Sequence, residues 1–523
     1  TASPLPHQET RPTTRVSLGA IIAISIFWFA LNYHWGALQI LLIPDQVTSL
    51  LLREAPGATL ADQAAWANSN TPLTLALVVA PGLIVALISN PLFGLLSDRT
   101  RSRFGRRMPY IVVGTLLNIG ALLLMAYAPG LGVVGHSGNT LAPSLLILMG
   151  ALMLTQLTSN AAQAPFHALL PDIVPEAQRG LASGIMGFAQ LFGTIGGVLG
   201  TSLLGMNSQQ LLHGTQSPGD FDARIKLGYI ITGAVIGVIA LITALTARER
   251  AARIEAGSLI EGRTIGQLGI TVSVVVVAIA ALIGAFRFVP ALGLTQDSFA
   301  VIQLVALVIA GIGAARAFEF RPRRNTDFTW VVVTRMLVQL GIYTVLTFLT
   351  PYMREAVHAP NPESAASNFI IVVSVTAIIP TVLVGWLSDR FGRKRMVYIS
   401  GAFMAAVGAV FIFAPYVISG DIVPIILGAA AIFGLGYGAY VAVDWALVAD
   451  VLPSDATFAR DMGVWNIGLT LAQVLAAVVG GWLLAFGRGV GGAQLAYALL
   501  FLGFVVFSVA GTVTVRYIRG VKK

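Results

Sequence analysis

Stretches of about twenty apolar residues alternate along this chain with short polar segments, and a helix of about 20 residues is what crosses the ~30 Å hydrocarbon core of a bilayer. Such runs begin near Leu18, Pro72, Tyr110, Ser144, Leu181 and Lys226, and again near Asp327, Ser367, Met396, Ile422, Met462 and Gly492. Two more, roughly 266–286 and 297–317, lie between the sets, so fourteen helical spans are expected. Four spans carry their polar residues on one stripe. On the first it is Asn32, Trp35 and Gln39, with His34 beside it; on the fourth, Gln156, Asn160, Gln163 and His167. On the seventh core span it is Arg335, Gln339 and Tyr343, and on the tenth Tyr437, Tyr440 and Asp444. Helical spacing puts each set on a common face, and polar faces are costly against lipid. The stripes therefore predict a polar interior.

With 523 residues, 56% hydrophobic, 11% charged and a mean hydropathy of +0.82, the chain reads as an all-α integral membrane protein. It has no cysteine, which removes disulfides and thiolate metal sites. No cofactor is expected: there is no Walker A loop and no metal-ligand spacing. The net charge of +9 is a topology signal and not a nucleic-acid footprint, because most of the 32 Lys and Arg fall on one side of the predicted spans. That side is read as cytoplasmic, with both termini there, in a cell (inner) membrane. The expected organisation is a disordered lead over 1–17, a six-helix bundle over 18–246, a linker with an inserted hairpin over 247–326, a second bundle over 327–517 and a tail over 518–523.

The chain repeats itself. After the second span it reads Phe93-Gly94-Leu95-Leu96-Ser97-Asp98-Arg99, then Arg101, Arg103 and Gly105-Arg106-Arg107. After the eighth core span it reads Val384-Gly385-Trp386-Leu387-Ser388-Asp389-Arg390-Phe391-Gly392-Arg393. A second echo pairs Ala164–Pro175, which holds Asp172, with Ala442–Pro453, which holds Asp450. Two six-span halves in one orientation follow, the parallel-repeat plan of alternating-access carriers. The loop after the second span, with its shorter copy, resembles the major facilitator superfamily. Its sequence Ser97-Asp98-Arg99-Thr100-Arg101-Ser102-Arg103-Phe104-Gly105-Arg106-Arg107-Met108-Pro109 is most similar to sucrose carriers and related glycoside and cation symporters. That resemblance implies two bundles about a pseudo-two-fold axis, and a sugar moving with protons. The chain departs from the plant sucrose carriers in having no carboxylate on the fourth span: Phe166 stands where the repeat has Asp444.

Physically, Asp98 and Asp389 at helix ends can accept from guanidinium groups or from the N-terminus of a facing helix, and so act as gate latches. Arg99, Arg103, Gly105, Arg106, Arg107, Arg390, Gly392 and Arg393 complete the two loops; the alternative role for the basic residues is to enforce topology. Deeper in, Arg335 and Asp444 both lie roughly 9 to 12 Å from the cytoplasmic ends of their spans. Two opposite charges at one depth predict a pair, either a static bridge or the site where Asp444 exchanges a proton for Arg335. His34 is a second candidate for proton coupling or for shaping the pocket. Asp45 at the outer end of the first span is expected to be solvated.

The amides of Asn32, Gln39, Asn160, Gln163 and Gln339 donate and accept, and the rings of Trp35, Tyr343, Tyr437 and Tyr440 can stack on the apolar face of a sugar. A neutral polyhydroxylated solute fits such a lining better than an anion or a lipophilic drug. The alternative for each amide is helix packing. The expected function is monomeric proton-coupled transport of a glucoside or disaccharide such as sucrose or maltose. Sodium coupling and sugar export are alternatives, and a transport-inactive sensor or assembly factor is the competitor from another class. The extra hairpin is read as a peripheral packing element or a partner contact.

Overall fold

The computed structural model describes residues 15–131, 143–246, 273 and 296–521, except 58, 101, 207, 319, 419 and 453–456. The first fourteen residues and nearly all of the run at 266–286 lie outside the described residues. The first half contains α1 (Leu18–Glu54), α2 (Leu60–Arg99), α3 (Met108–Leu131), α4 (Pro143–Ile173), α5 (Arg179–Ser202) and α6 (Pro218–Thr246). After α7 (Gln296–Ala317), the second half contains α8 (Thr326–Glu355), α9 (Pro362–Phe391), α10 (Arg393–Val417), α11 (Val423–Val451) and α12 (Phe458–Thr514). Among the described residues eleven helical stretches are long and apolar enough to cross a bilayer.

The last of these makes two crossings. Gly491 and Gly492 leave helical geometry, with Gly492 at φ +79°, a conformation that costs glycine little. The arms then run back along one another: a methyl at Gly503 would meet Leu483, and one at Gly487 would meet the backbone of Ala496. Each half thus holds six crossings.

Helix starts follow local chemistry. Ser17 caps α1 by accepting from the Ala20 amide, Thr59 caps α2 through Asp62, and Asn361 caps α9 through Ser364. Near its middle α1 widens into a π-turn over Leu38–Leu42, just before Pro44, whose ring nitrogen has no hydrogen to donate. The helix continues to Glu54, which corrects the expectation for Asp45. That carboxylate is not solvated; it is 8% exposed and hydrogen-bonds Ser208.

Within the first half α1 packs on α5 and α6, and α4 on α2 and α3; within the second, α8 packs on α12 and α11 on α9 and α10. Two seams join the halves, α2 against α12 and α5 against α9. Glycine permits these approaches. A methyl at Gly385 would lie 2.7 Å from the Gly180 carbonyl oxygen and 2.8 Å from the Gly184 Cα. Gly94 abuts the Ala459 carbonyl and Gly463 abuts Pro91 on the other seam. The inserted helix α7 packs on both α2 and α12, with Ala310 and Ala314 buried and Gly311 against Leu471.

Candidate functional site

A central cavity of about 540 Å³ lies between the halves, within the size range of small-molecule sites. The π-turn in α1 turns Gln39 and Ile40 toward it, and Ile40 is exposed. Eight of the ten residues expected to meet a solute line it: Asn32, Trp35, Gln39, Asn160, Gln163, Gln339, Tyr343 and Tyr437. Tyr440 and His34 do not. Tyr440 is buried beside the cavity and donates its hydroxyl to Asp444 Oδ1 at 2.9 Å. His34 is fully buried, stacks edge-on against Trp35, and has no hydrogen-bond partner on either ring nitrogen. One residue along a helix is a 100° turn, so His34 points into the helix packing while Trp35 points into the cavity.

The stripes are joined by residues that sequence reasoning passed over. Trp28 donates through Nε1 to Gln190 Oε1 at 3.3 Å, and Gln190 in turn hydrogen-bonds Tyr437 across the interface. Gln473 donates to the Tyr343 hydroxyl at 2.8 Å, and Asn90 donates to Asn160 Oδ1 at 2.7 Å. Asn466, Thr470 and Gln473 were findable, since their spacings of four and three make a fifth polar stripe on the first arm of α12. Gln190 was findable too, since Ser183, Gln190, Thr194 and Thr201 share one face of α5 at spacings of seven, four and seven, whereas Asn90 has no polar residue three or four places away and carries no such signal.

The floor of the cavity is charged. Arg335 Nη1 donates to Asp444 Oδ2 in a buried ion pair, and the guanidinium lies over the Trp465 ring, 3.4 Å from its centroid. A buried charge pair is disfavoured unless its remaining donors and acceptors are met. Tyr440 meets one carboxylate oxygen, and Asn466 Oδ1 faces Arg335 Nη2 at 3.5 Å.

Below the floor, at the end that carries the repeated loops, two matched clusters close the halves on one another. Asp98 accepts from Arg107 Nη1 at 2.6 Å and from the backbone amides of Ala459 and Arg460, at 3.2 and 3.0 Å, in the first turn of α12. Asp389 accepts from the amides of Gly180 and Leu181, both at 3.0 Å, in the first turn of α5, with Arg393 at 3.6 Å. Each carboxylate thus caps a helix of the opposite half, where unpaired amides and the helix dipole favour negative charge. The aspartates of the second echo complete the clusters: Asp172 accepts from Arg106 and Arg107, and Asp450 from Arg393 at 2.5 Å, with Arg179 at 3.9 Å. Gly105 and Gly392 turn the loops at φ +92° and +91°. Arg103 and Arg390 stand apart from the carboxylates, over Phe104 and Trp386, and Arg99 is exposed at the end of α2. The side chains of Asp98 and Arg107 are 1% and 0% exposed, so this pair is no solvated topology marker.

Residues 331–522 match the family model described as Major Facilitator Superfamily, and residues 70–296 match that described as MFS/sugar transport protein. Among curated proteins, the chain is 28% identical to the human proton-associated sugar transporter A over 170 residues. It is 24% identical to the rice sucrose transport protein SUT1 over 243 residues. These alignments take in 32% and 45% of this chain but only 22% and 41% of the relatives' own length. Two solved structures share the fold at low identity. The proton:xylose symporter XylE superposes with a TM-score of 0.58 at 16% identity, covering 94% of each chain. A bacterial homologue of the iron transporter ferroportin, in an outward-facing state, superposes with a TM-score of 0.59 at 13% identity, covering 95% of this chain and 98% of that one.

Proposed function

We propose that this chain, which belongs to the major facilitator superfamily and resembles its sucrose and glycoside–cation symporter branch, moves a neutral sugar with protons by alternating access. The carrying observation is the cavity: amides and aromatic faces from both halves above a single acid–base pair. Asn32, Gln39, Asn160, Gln163 and Gln339 supply donors and acceptors for hydroxyl groups, and Trp35, Tyr343 and Tyr437 supply faces for the ring. The cavity volume suits a glucoside or a disaccharide such as sucrose or maltose.

Coupling runs through the second half. When ionised, Asp444 holds Arg335; when protonated, it keeps the Tyr440 contact and releases the guanidinium. The loops bearing Asp98 and Asp389 face the cytoplasm, and the two capping contacts form while that side is shut and break as it opens. The chain works as a monomer in the cell membrane. Its first half supplies most of the sugar's hydrogen bonds and its second half the charge chemistry.

The test is uptake of radiolabelled disaccharides into proteoliposomes, with and without an imposed pH gradient. Accumulation that follows the pH gradient and ignores a sodium gradient is the expected result. Sodium-driven accumulation would replace the proton by sodium, and no uptake or exchange of any sugar would return the chain to a sensor or assembly role. The latch has its own expected result. Asp389→Asn keeps the side-chain shape but loses the charge and turns one of the two accepting oxygens into a donor, so of two hydrogen bonds, each of about 1.5 to 3 kcal/mol when one partner is charged, one is lost and the other weakened. Its maximal uptake rate is expected to fall at least tenfold while sugar binding, read by intrinsic tryptophan fluorescence, holds within about threefold.

A further inference from the structure

Asn466 sits where the charged floor meets the opposite half. It belongs to α12, is 7% exposed, and has polar neighbours on both sides. Its Oδ1 faces Arg335 Nη2 at 3.5 Å; its Nδ2 faces His167 Nδ1 at 3.1 Å and Asn90 Oδ1 at 3.5 Å. The first neighbour is in its own half, and the other two are on α4 and α2 of the first half. Arginine is donor-only, so the amide oxygen must be the end that faces it. The amide nitrogen then faces the histidine, which accepts at Nδ1 and carries its proton on Nε2.

We propose that Asn466 is a positioning residue that transmits the protonation state of Asp444 to the interface between the halves. This rests on the proton-coupled reading above. Arg335 lies between two acceptors, the Asp444 carboxylate and the Asn466 carbonyl, and its stacking on Trp465, the residue next to Asn466, keeps it within reach of both. While Asp444 is ionised the carboxylate holds the guanidinium, and the Asn466 contact stays at the long limit of a hydrogen bond. Protonation of Asp444 removes the stronger acceptor. The guanidinium then moves onto the Asn466 carbonyl, and the amide turns its nitrogen away from His167 and Asn90. Those two contacts cross between the halves, so their loss frees the layer directly above the cytoplasmic latches. The groups facing the pair are Tyr440 and Tyr437 from α11, Tyr343 from α8, Trp465 and Asn466 from α12, and His167 from α4. Asp444 is the only carboxylate among them.

The chain has no cysteine, so a single introduced thiol reports on the interface without background. Ser183 is suited to this: it is 1% exposed, its hydroxyl has no hydrogen-bond partner, and it lines the cavity from α5 at the seam with α9. In the Ser183→Cys protein, the rate of alkylation by a maleimide in proteoliposomes, divided at each pH by that of a free thiol to remove the loss of reactive thiolate, is expected to rise on acidification. Adding Asn466→Ala should raise the rate about tenfold, the shift expected from losing a buried hydrogen bond between the halves, and make it independent of pH. Asp444→Asn should give the same fast rate, and the double variant should be no faster than either single one. Should Asn466→Ala fail to fold, His167→Ala removes the partner and should give the same rise. Unchanged labelling in these variants, or additive effects in the double, would overturn the proposal. The labelling needs no sugar. PH-linked labelling without sugar uptake would therefore sink the sugar reading alone, and sugar symport with unchanged labelling would sink the role of Asn466 alone.

Discussion

Asp444→Asn is expected to abolish uphill accumulation of sugar in proteoliposomes while leaving sugar counterflow within about threefold of the parent. A symporter that moves one proton per sugar can concentrate it up to about tenfold per unit of pH gradient, since one unit is about 1.36 kcal/mol. With asparagine at this position the ratio should fall to about one. The carboxamide mimics the protonated acid in shape and still accepts from Tyr440, but it cannot cycle its charge. The conservative change matters because Arg335 is buried: either substitution removes its counter-charge, at a cost of about 3 to 5 kcal/mol, but asparagine keeps the side-chain volume and an accepting carbonyl where alanine would leave neither. Gradient-driven accumulation by Asp444→Asn at the parent's level would remove the residue from the coupling step and leave the pair as a static bridge.

The second large effect is expected at Gly385, for a steric reason. Alanine there would put a methyl 2.7 Å from the Gly180 carbonyl oxygen and 2.8 Å from the Gly184 Cα, both backbone atoms of the facing helix that cannot turn aside. Overpacking of this kind costs about 1 to 3 kcal/mol. Because the clash exists only while α5 and α9 are closed, that energy falls on one state of the proposed cycle and shifts the balance toward opening at the Asp389 end by about fivefold to 160-fold. Maleimide labelling of the Ser183→Cys thiol reads this shift directly. Gly120→Ala is the control, since nothing lies within 4 Å of a methyl there and alanine is the better helix former. Equal labelling of the two glycine variants would show that the seam has room the geometry denies it.

Much of this was legible in the residues. The lengths of the apolar runs, the repeated Ser-Asp-Arg loops and the polar stripes lead to two six-helix halves and to a cavity between α1, α4, α8 and α11. Periodicity works there because the bilayer penalises a polar group on the wrong face. What stayed hidden was set by contacts between helices. Nothing about Gln190 on α5 announces that it reaches both Trp28 and Tyr437, and Asn90 on α2 gains its meaning only from Asn160 and Asn466. His34 stood next to the stripe in sequence, yet one helical step rotates it out of the site. Asp45 reads as an outer-end acid until the π-turn carries α1 onward and buries it. The aspartates of the second echo were visible as a repeat, but their partners, Arg107 and Arg393, were not.

The placement of α7 bears on how the halves can move. A carrier made of two matched bundles has two equivalent edges and could open along either, like a book with no spine. Here α7 is laid along one edge, touching α2 on one cover and α12 on the other. Its buried face is made of Ala310, Gly311 and Ala314, small residues that allow rotation without large steric steps but resist separation, because pulling them apart exposes tightly packed surface. Both edges also carry a capping contact, Asp98 on α12 here and Asp389 on α5 at the other edge. Among the described residues the α2–α12 edge thus carries a helix that the α5–α9 edge does not, and the two covers are unequally bound despite the symmetry of the repeat.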